Sequence, residues 1–394
     1  MKNLKTRRLL LWGILILTFL FVFLFPITQV NAEANKVDDK LEEIINGQLN
    51  ELDLKELEEY LSTIQDFQNE NLIERLMDYV KGKEFDYNSF AESLLKVFFK
   101  TVIELLPSFS CIAAITLLTG LISTIKSESG GVTSANMIFL IGYAAALLPI
   151  FSILMECFQT VQECISDMKK QMHILFPLML TLMSASGGTL SAAICRPAVA
   201  FFSTNIVSIM SSVILPITAV IIVFSMAGNL SPELRINKFT AFFKSMNKWI
   251  IGICVSIFGL FFTLQGITAS GYDGIVRRAA KYAIGNGVPI VGGFLSGGFD
   301  LAVAGSVLIK NSLGGLGVFL MVCVLFEPVI LLLSVNLLFR FTAAITQPFG
   351  DSKISDFLGE TSENLNYCTA VLLFTGFLYF LMIVLMIFSS EALF

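Results

Sequence analysis

Charge is what this chain has least of. Only 14% of its 394 residues are Asp, Glu, Lys or Arg, against 55% hydrophobic side chains and a mean hydropathy of +0.78. That balance excludes an ordinary soluble domain and leaves an all-α, polytopic membrane protein. The one histidine, and seven cysteines with no Cys-x-x-Cys pair among them, give no material for a zinc site or a dithiol redox centre. No Gly-x-x-x-x-Gly-Lys-Ser/Thr loop, Gly-x-Ser-x-Gly elbow or His-Glu-x-x-His helix occurs, so the expectation is a non-enzyme with no cofactor and no metal. His173, at the start of an apolar segment, reads as an interfacial residue and not as a general base. The basic residues form short connectors, which excludes an extended nucleic-acid surface.

The N-terminus has the parts of a secretory signal over residues 1–32. Lys2, Lys5, Arg7 and Arg8 precede an apolar run from Leu9 to Phe25, and Val30-Asn31-Ala32 supplies a small-residue cleavage site. Residues 33–92 then hold 17 acidic and 6 basic side chains. Apolar residues there recur mostly three to five apart, from Leu41 and Ile45 to Leu76 and Val80, which predicts an acidic, amphipathic helical module on the extracytoplasmic side. Such a module either caps its own membrane domain or docks a partner. Ser89 followed by Glu92 has the spacing of a capping box that opens the next helix.

From Pro107 onward, apolar segments alternate with short charged connectors. A span takes about 20 apolar residues, and the candidates are 107–125, 135–157, 173–194, 197–229, 249–270, 286–309, 313–345 and 367–389. The spacing of special residues within them suggests a duplication. Pro177, Ser186-Gly187-Gly188 and Pro216 are followed 112, 110 and 112 positions later by Pro289, Ser296-Gly297-Gly298 and Pro328. This predicts N-terminal transmembrane helices over 93–157, a first membrane repeat over 158–270, and a second with a C-terminal tail over 271–394. The four prolines are expected to break or kink their helices, because each removes a backbone donor and crowds the preceding turn. The glycine pairs suit either close helix packing or an unwound stretch lining a cavity. Residues 231–248 are mainly basic and 348–366 mainly acidic, which puts these connectors on opposite sides of the membrane and suggests an inverted repeat.

Two carboxylates lie within apolar segments away from their ends. Glu327 is near the middle of the run from Gly317 to Phe339, where a charge costs about 2.5–3.5 kcal/mol on insertion scales. Arg340, Lys310 and Arg196 are the cations that could approach it, and Pro328 beside it frees a carbonyl one turn earlier. Asp300, just beyond Gly298, is the second. Ser186, Gly187, Gly188, Ser296, Gly297, Gly298, Asp300 and Glu327 are therefore the candidate lining of a substrate or ion pathway; the competing reading makes the carboxylates polar clamps.

The stretches "LPSFSCIAAITLLTGLISTI", "HILFPLMLTLMSASGGTLSAAICRPAVAFF" and "GVPIVGGFLSGGFDLAVAGSVLIKNSLGGLGVF", behind a signal and an acidic preface, resemble the stage III sporulation protein AE family of endospore-forming bacteria. The resemblance implies a multi-pass protein of the mother-cell membrane around the forespore. It also implies partners, the other stage III sporulation A-type proteins including an ATPase and ring-forming proteins, in a transenvelope complex that supports forespore integrity and late forespore gene expression. A channel- or permease-like role follows as an expectation. An autonomous ion-coupled transporter and a non-transporting scaffold are the alternatives.

Overall fold

The computed structural model describes residues 87–128, 132–230, 236–268, 292–348 and 352–388, with scattered helical positions between 44 and 57. The signal segment, nearly all of the acidic module, Pro289 and the basic cluster Arg277, Arg278 and Lys281 lie outside the described residues. The chain divides into two compact units, residues 1–51 and 52–394. In the first, Ile45 and Leu49 are buried four positions apart, as one face of a helix requires.

Six helices among the described residues of the second unit are long and apolar enough to cross a membrane. They are α1 (Tyr87–Glu128), α2 (Val132–Ala185), α3 (Thr189–Leu230), α4 (Asn237–Thr268), α5 (Gly292–Thr346) and α6 (Ser352–Phe388). No strand occurs among the described residues. α1 starts at Tyr87, so Ser89 lies inside its first turn and not at its cap.

Two of these rods are far longer than a bilayer. α2 has 54 residues and α5 has 55, about 80 Å each at 1.5 Å per residue, against a hydrocarbon core of about 30 Å. The expected boundary at 157/158 falls inside α2, and the expected spans 286–309 and 313–345 merge in α5. Nothing in either connector stops a helix. Between the apolar parts of α2, Val161, Cys164, Ile165, Met168 and Met172 are buried while Gln162, Glu163 and Lys170 are exposed, an amphipathic pattern that continues the helix.

Among the described residues, Pro177, Pro216 and Pro328 also end no helix. α2 runs through Pro177 and α5 through Pro328. Pro216 sits in the rod just after two π-helical runs, Phe201–Ile206 and Met210–Ile214. A wider turn there relieves the clash that a proline ring makes with the carbonyl four residues back, so the helix loosens without ending. At Pro328 the freed carbonyl belongs to Val324, and Cys164 Sγ donates to it at 3.4 Å from α2.

Helix directions follow from cross-contacts. Along α2, Lys169 Nζ donates to Ser208 Oγ at 2.9 Å and Tyr143 Oη to the Met226 carbonyl at 2.8 Å, so α3 runs antiparallel to it. Cys164 meets Val324, and Leu175 packs at Gly317, so α5 is antiparallel to α2 as well. α3 and α5 are therefore parallel. α6 returns along α5, with Lys310 Nζ on the Ile387 carbonyl at 2.7 Å at one end and Asn336 Nδ2 on the Ser362 carbonyl at 2.8 Å towards the other. The starts of α4 and α6 consequently lie at the same end of the bundle, which corrects the expectation that the stretches 231–248 and 348–366 face opposite sides. The positive-inside rule counts Lys and Arg, and the acidic residues of 348–366 carry little topological information.

Candidate functional site

The two Ser-Gly-Gly tripeptides have different backbones. At the first, α2 ends and α3 begins. The Gly187 N–H donates to the Ser184 carbonyl at 3.1 Å, the Gly188 N–H to Met183 at 2.9 Å, and Gly187 has φ 93°. This is a Schellman closure, whose left-handed residue is glycine because a Cβ would meet the following carbonyl. Ser186, 1% exposed, adds its hydroxyl to the Met183 carbonyl at 2.9 Å, and the Gly188 carbonyl accepts from Ala192 to start α3. The tripeptide makes a corner. Ser296, Gly297, Gly298 and Asp300 instead continue α5 as helical backbone, and their side chains lie outside the described residues.

Close helix approach is carried by other glycines. A Cβ on Gly314 would come within 2.6 Å of Ile387 Cδ1, and one on Gly376 within 2.8 Å of Leu325 Cδ2, so α5 and α6 touch through these gaps.

Glu327 is exposed on α5. The Cys164–Val324 contact puts it beside the part of α2 that presents Gln162 and Glu163, and among the described residues it has neither hydrogen bond nor ion pair. The cations expected to approach it are engaged elsewhere or exposed. Lys310 is fully buried on the Ile387 carbonyl, Arg340 Nε donates to Ser362 Oγ at 2.9 Å, and Arg196 is exposed. Nor does the fold bring Glu327 to the 186–188 corner. Met179, shortly before that corner, packs at Gly314.

The polar interior lies in a part of the chain that reads, in sequence, as a connector. The first half of α6 is rich in Ser, Thr, Asn and Glu, and the bundle buries Ser355, Thr361, Ser362 and Asn364. Around it, α5 exposes Leu333, Leu337, Phe341 and Ile345 on its outer face, as a lipid-facing surface does. Within, Glu360 accepts a hydrogen bond from Ser225 Oγ and another from Asn229 Nδ2 at 3.2 Å, both from α3. On the α5 side Asn336 Nδ2 also donates to Asn366 Oδ1 at 3.1 Å, and Ser362 Oγ to Asn336 Oδ1 at 3.0 Å. Tyr367 Oη reaches the Lys244 carbonyl of α4 at 3.4 Å. The result is a seam of hydrogen-bonding groups, with one half-buried carboxylate, inside an apolar bundle. It offers donors and acceptors to a polar solute or to water. Among the described residues no group of three or more His, Cys, Asp or Glu could hold a metal ion.

The profile of the family described as Stage III sporulation protein AE matches residues 70–390. Stage III sporulation protein AE of Bacillus subtilis (strain 168) is 23% identical over 313 residues, covering 79% of this chain and 78% of the relative. No solved structure matches.

Proposed function

Because the chain belongs to the stage III sporulation protein AE family, a family of sporulation proteins, and is an all-α protein with helices fit to cross a membrane, we propose that it is a channel- or permease-like component of the mother cell–forespore transenvelope complex. It acts in the mother-cell membrane around the forespore, with other stage III sporulation A-type proteins, including an ATPase and ring-forming proteins, as partners. The observation that carries this reading is the polar seam around Glu360. A scaffold needs no hydrogen-bonding interior, and burying polar groups in a membrane bundle is costly. The chain shows no nucleotide-binding loop, so an associated ATPase supplies the energy.

The parallel placement of α3 and α5 supports the duplication. Lys169 and Gln171, one turn of α2, meet Ser208 and Leu320, which are separated by the same 112 positions as Pro216 and Pro328. On this reading α3 and α5 are the equivalent helices and share one orientation, as in parallel repeats.

Substitution of Glu360 tests the proposal. Glu360→Gln keeps size and hydrogen bonding and removes the charge, whereas Glu360→Leu removes both. A conducting seam predicts normal membrane levels of the Gln variant with loss of late forespore gene expression. Normal expression in the Gln variant, with loss of protein only in the Leu variant, makes Glu360 a structural clamp and removes the support for conduction.

A further inference from the structure

We propose that α3, α4 and α6 hold a buried water between Asn364 and Asn247, in the middle of the polar seam. Glu360, Asn364 and Tyr367 lie at i, i+4 and i+7 on α6 and share one face of that helix. Both ends of the stripe are tied down, Glu360 by Ser225 and Asn229 of α3 and Tyr367 by the Lys244 carbonyl of α4. Asn364, between them, is 0% exposed, and neither its Nδ2 nor its Oδ1 has a partner among the described residues. Asn247 of α4, three residues beyond the Lys244 that Tyr367 reaches, is equally buried. Its Nδ2 donates to Thr218 Oγ1 of α3 at 2.9 Å, and its Oδ1 is unpartnered. Thr361, one turn before Asn364, adds an unpartnered hydroxyl, although buried hydroxyls such as those of Thr116, Thr218 and Thr375 return to the carbonyl four residues back.

The open groups define what fits. Two amide N–H bonds and a hydroxyl ask for acceptors, and two amide oxygens ask for donors, so the occupant must do both. A bare cation leaves the Asn364 amino group facing a positive charge, and an anion meets Glu360 one turn away. Water satisfies both sides, and a buried site with two to four polar partners is where water is ordinarily held. Leaving the amide unpaired instead exacts its full desolvation cost.

The test compares Asn364→Leu with Asn364→Ser in the full-length protein in lipid nanodiscs, by melting temperature. Leucine matches the amide in size but cannot hold water. Serine keeps a donor and an acceptor and leaves room for a second water. The proposal expects a lower melting temperature for the Leu variant and a value near the parent for the Ser variant. A Leu variant as stable as the parent or more so overturns it, because removing an unpaired amide would then cost nothing. Equal losses in both variants also overturn it, since packing alone would then explain the position. These readouts do not involve conduction, so they stand or fall separately from the Glu360 experiment.

Discussion

Replacing Gly187 by Ala should destabilise the corner between α2 and α3 although it adds a single methyl group. Gly187 has φ 93° and contributes the left-handed residue of the helix closure. A residue with a Cβ pays about 1–2 kcal/mol there, a shift of roughly 5- to 30-fold in the ratio of folded to unfolded protein. The restricted unfolded chain returns less than this when the native conformation is incompatible. Gly315→Ala is the internal control. Gly315 lies inside α5 with nothing within 4 Å of an added Cβ, so the same methyl group should stabilise by about 0.5–1 kcal/mol. Asparagine at 187, which tolerates the left-handed region, should fall between parent and Ala. Unfolding in mixed micelles, titrated with a denaturing detergent and followed by ellipticity, reads all three. A Gly187→Ala protein as stable as the parent, or a Gly315→Ala protein that loses as much, refutes the argument.

At Pro328, Cys164→Val should leave the freed Val324 carbonyl without its donor and cost about 0.5–1.5 kcal/mol, whereas Cys164→Ser keeps a donor and should cost less; thermal melting separates them. Glu327, exposed and without a partner among the described residues, should accept both Gln and Leu with unchanged amounts of folded membrane protein. Immunoblots of membrane fractions check this, and a loss of protein in the Leu variant would restore the clamp.

The helical class and the membrane setting are legible in the sequence because composition and run length alone carry them. What escapes is set by tertiary context. The same Ser-Gly-Gly is a corner at 186–188 and helical backbone at 296–298, and the tripeptide itself does not distinguish them. Prolines read as breaks because the local rule counts a lost hydrogen bond, yet a π turn before Pro216 and a thiol donor beside Pro328 compensate for it. The seam was hidden for the opposite reason. Residues 352–366 look like a solvated connector, since Glu360, Ser362 and Asn364 are polar and close to an acidic run. Only the pairing of α6 with α3 and α5 turns those side chains inward. The one clue is the spacing of Glu360, Asn364 and Tyr367 on one helical face.

Water access to the seam tests the central claim most directly. Asn229 donates to Glu360 and is half-buried, and Cys368, farther along α6, is fully buried. In sporulating cells carrying Asn229→Cys, a small hydrophilic cationic thiol reagent followed by site-resolved mass spectrometry reads both positions in the assembled protein. A conducting seam predicts modification at position 229 while Cys368 stays unmodified. A cysteine at 229 as inert as Cys368 would contradict a polar path through this bundle.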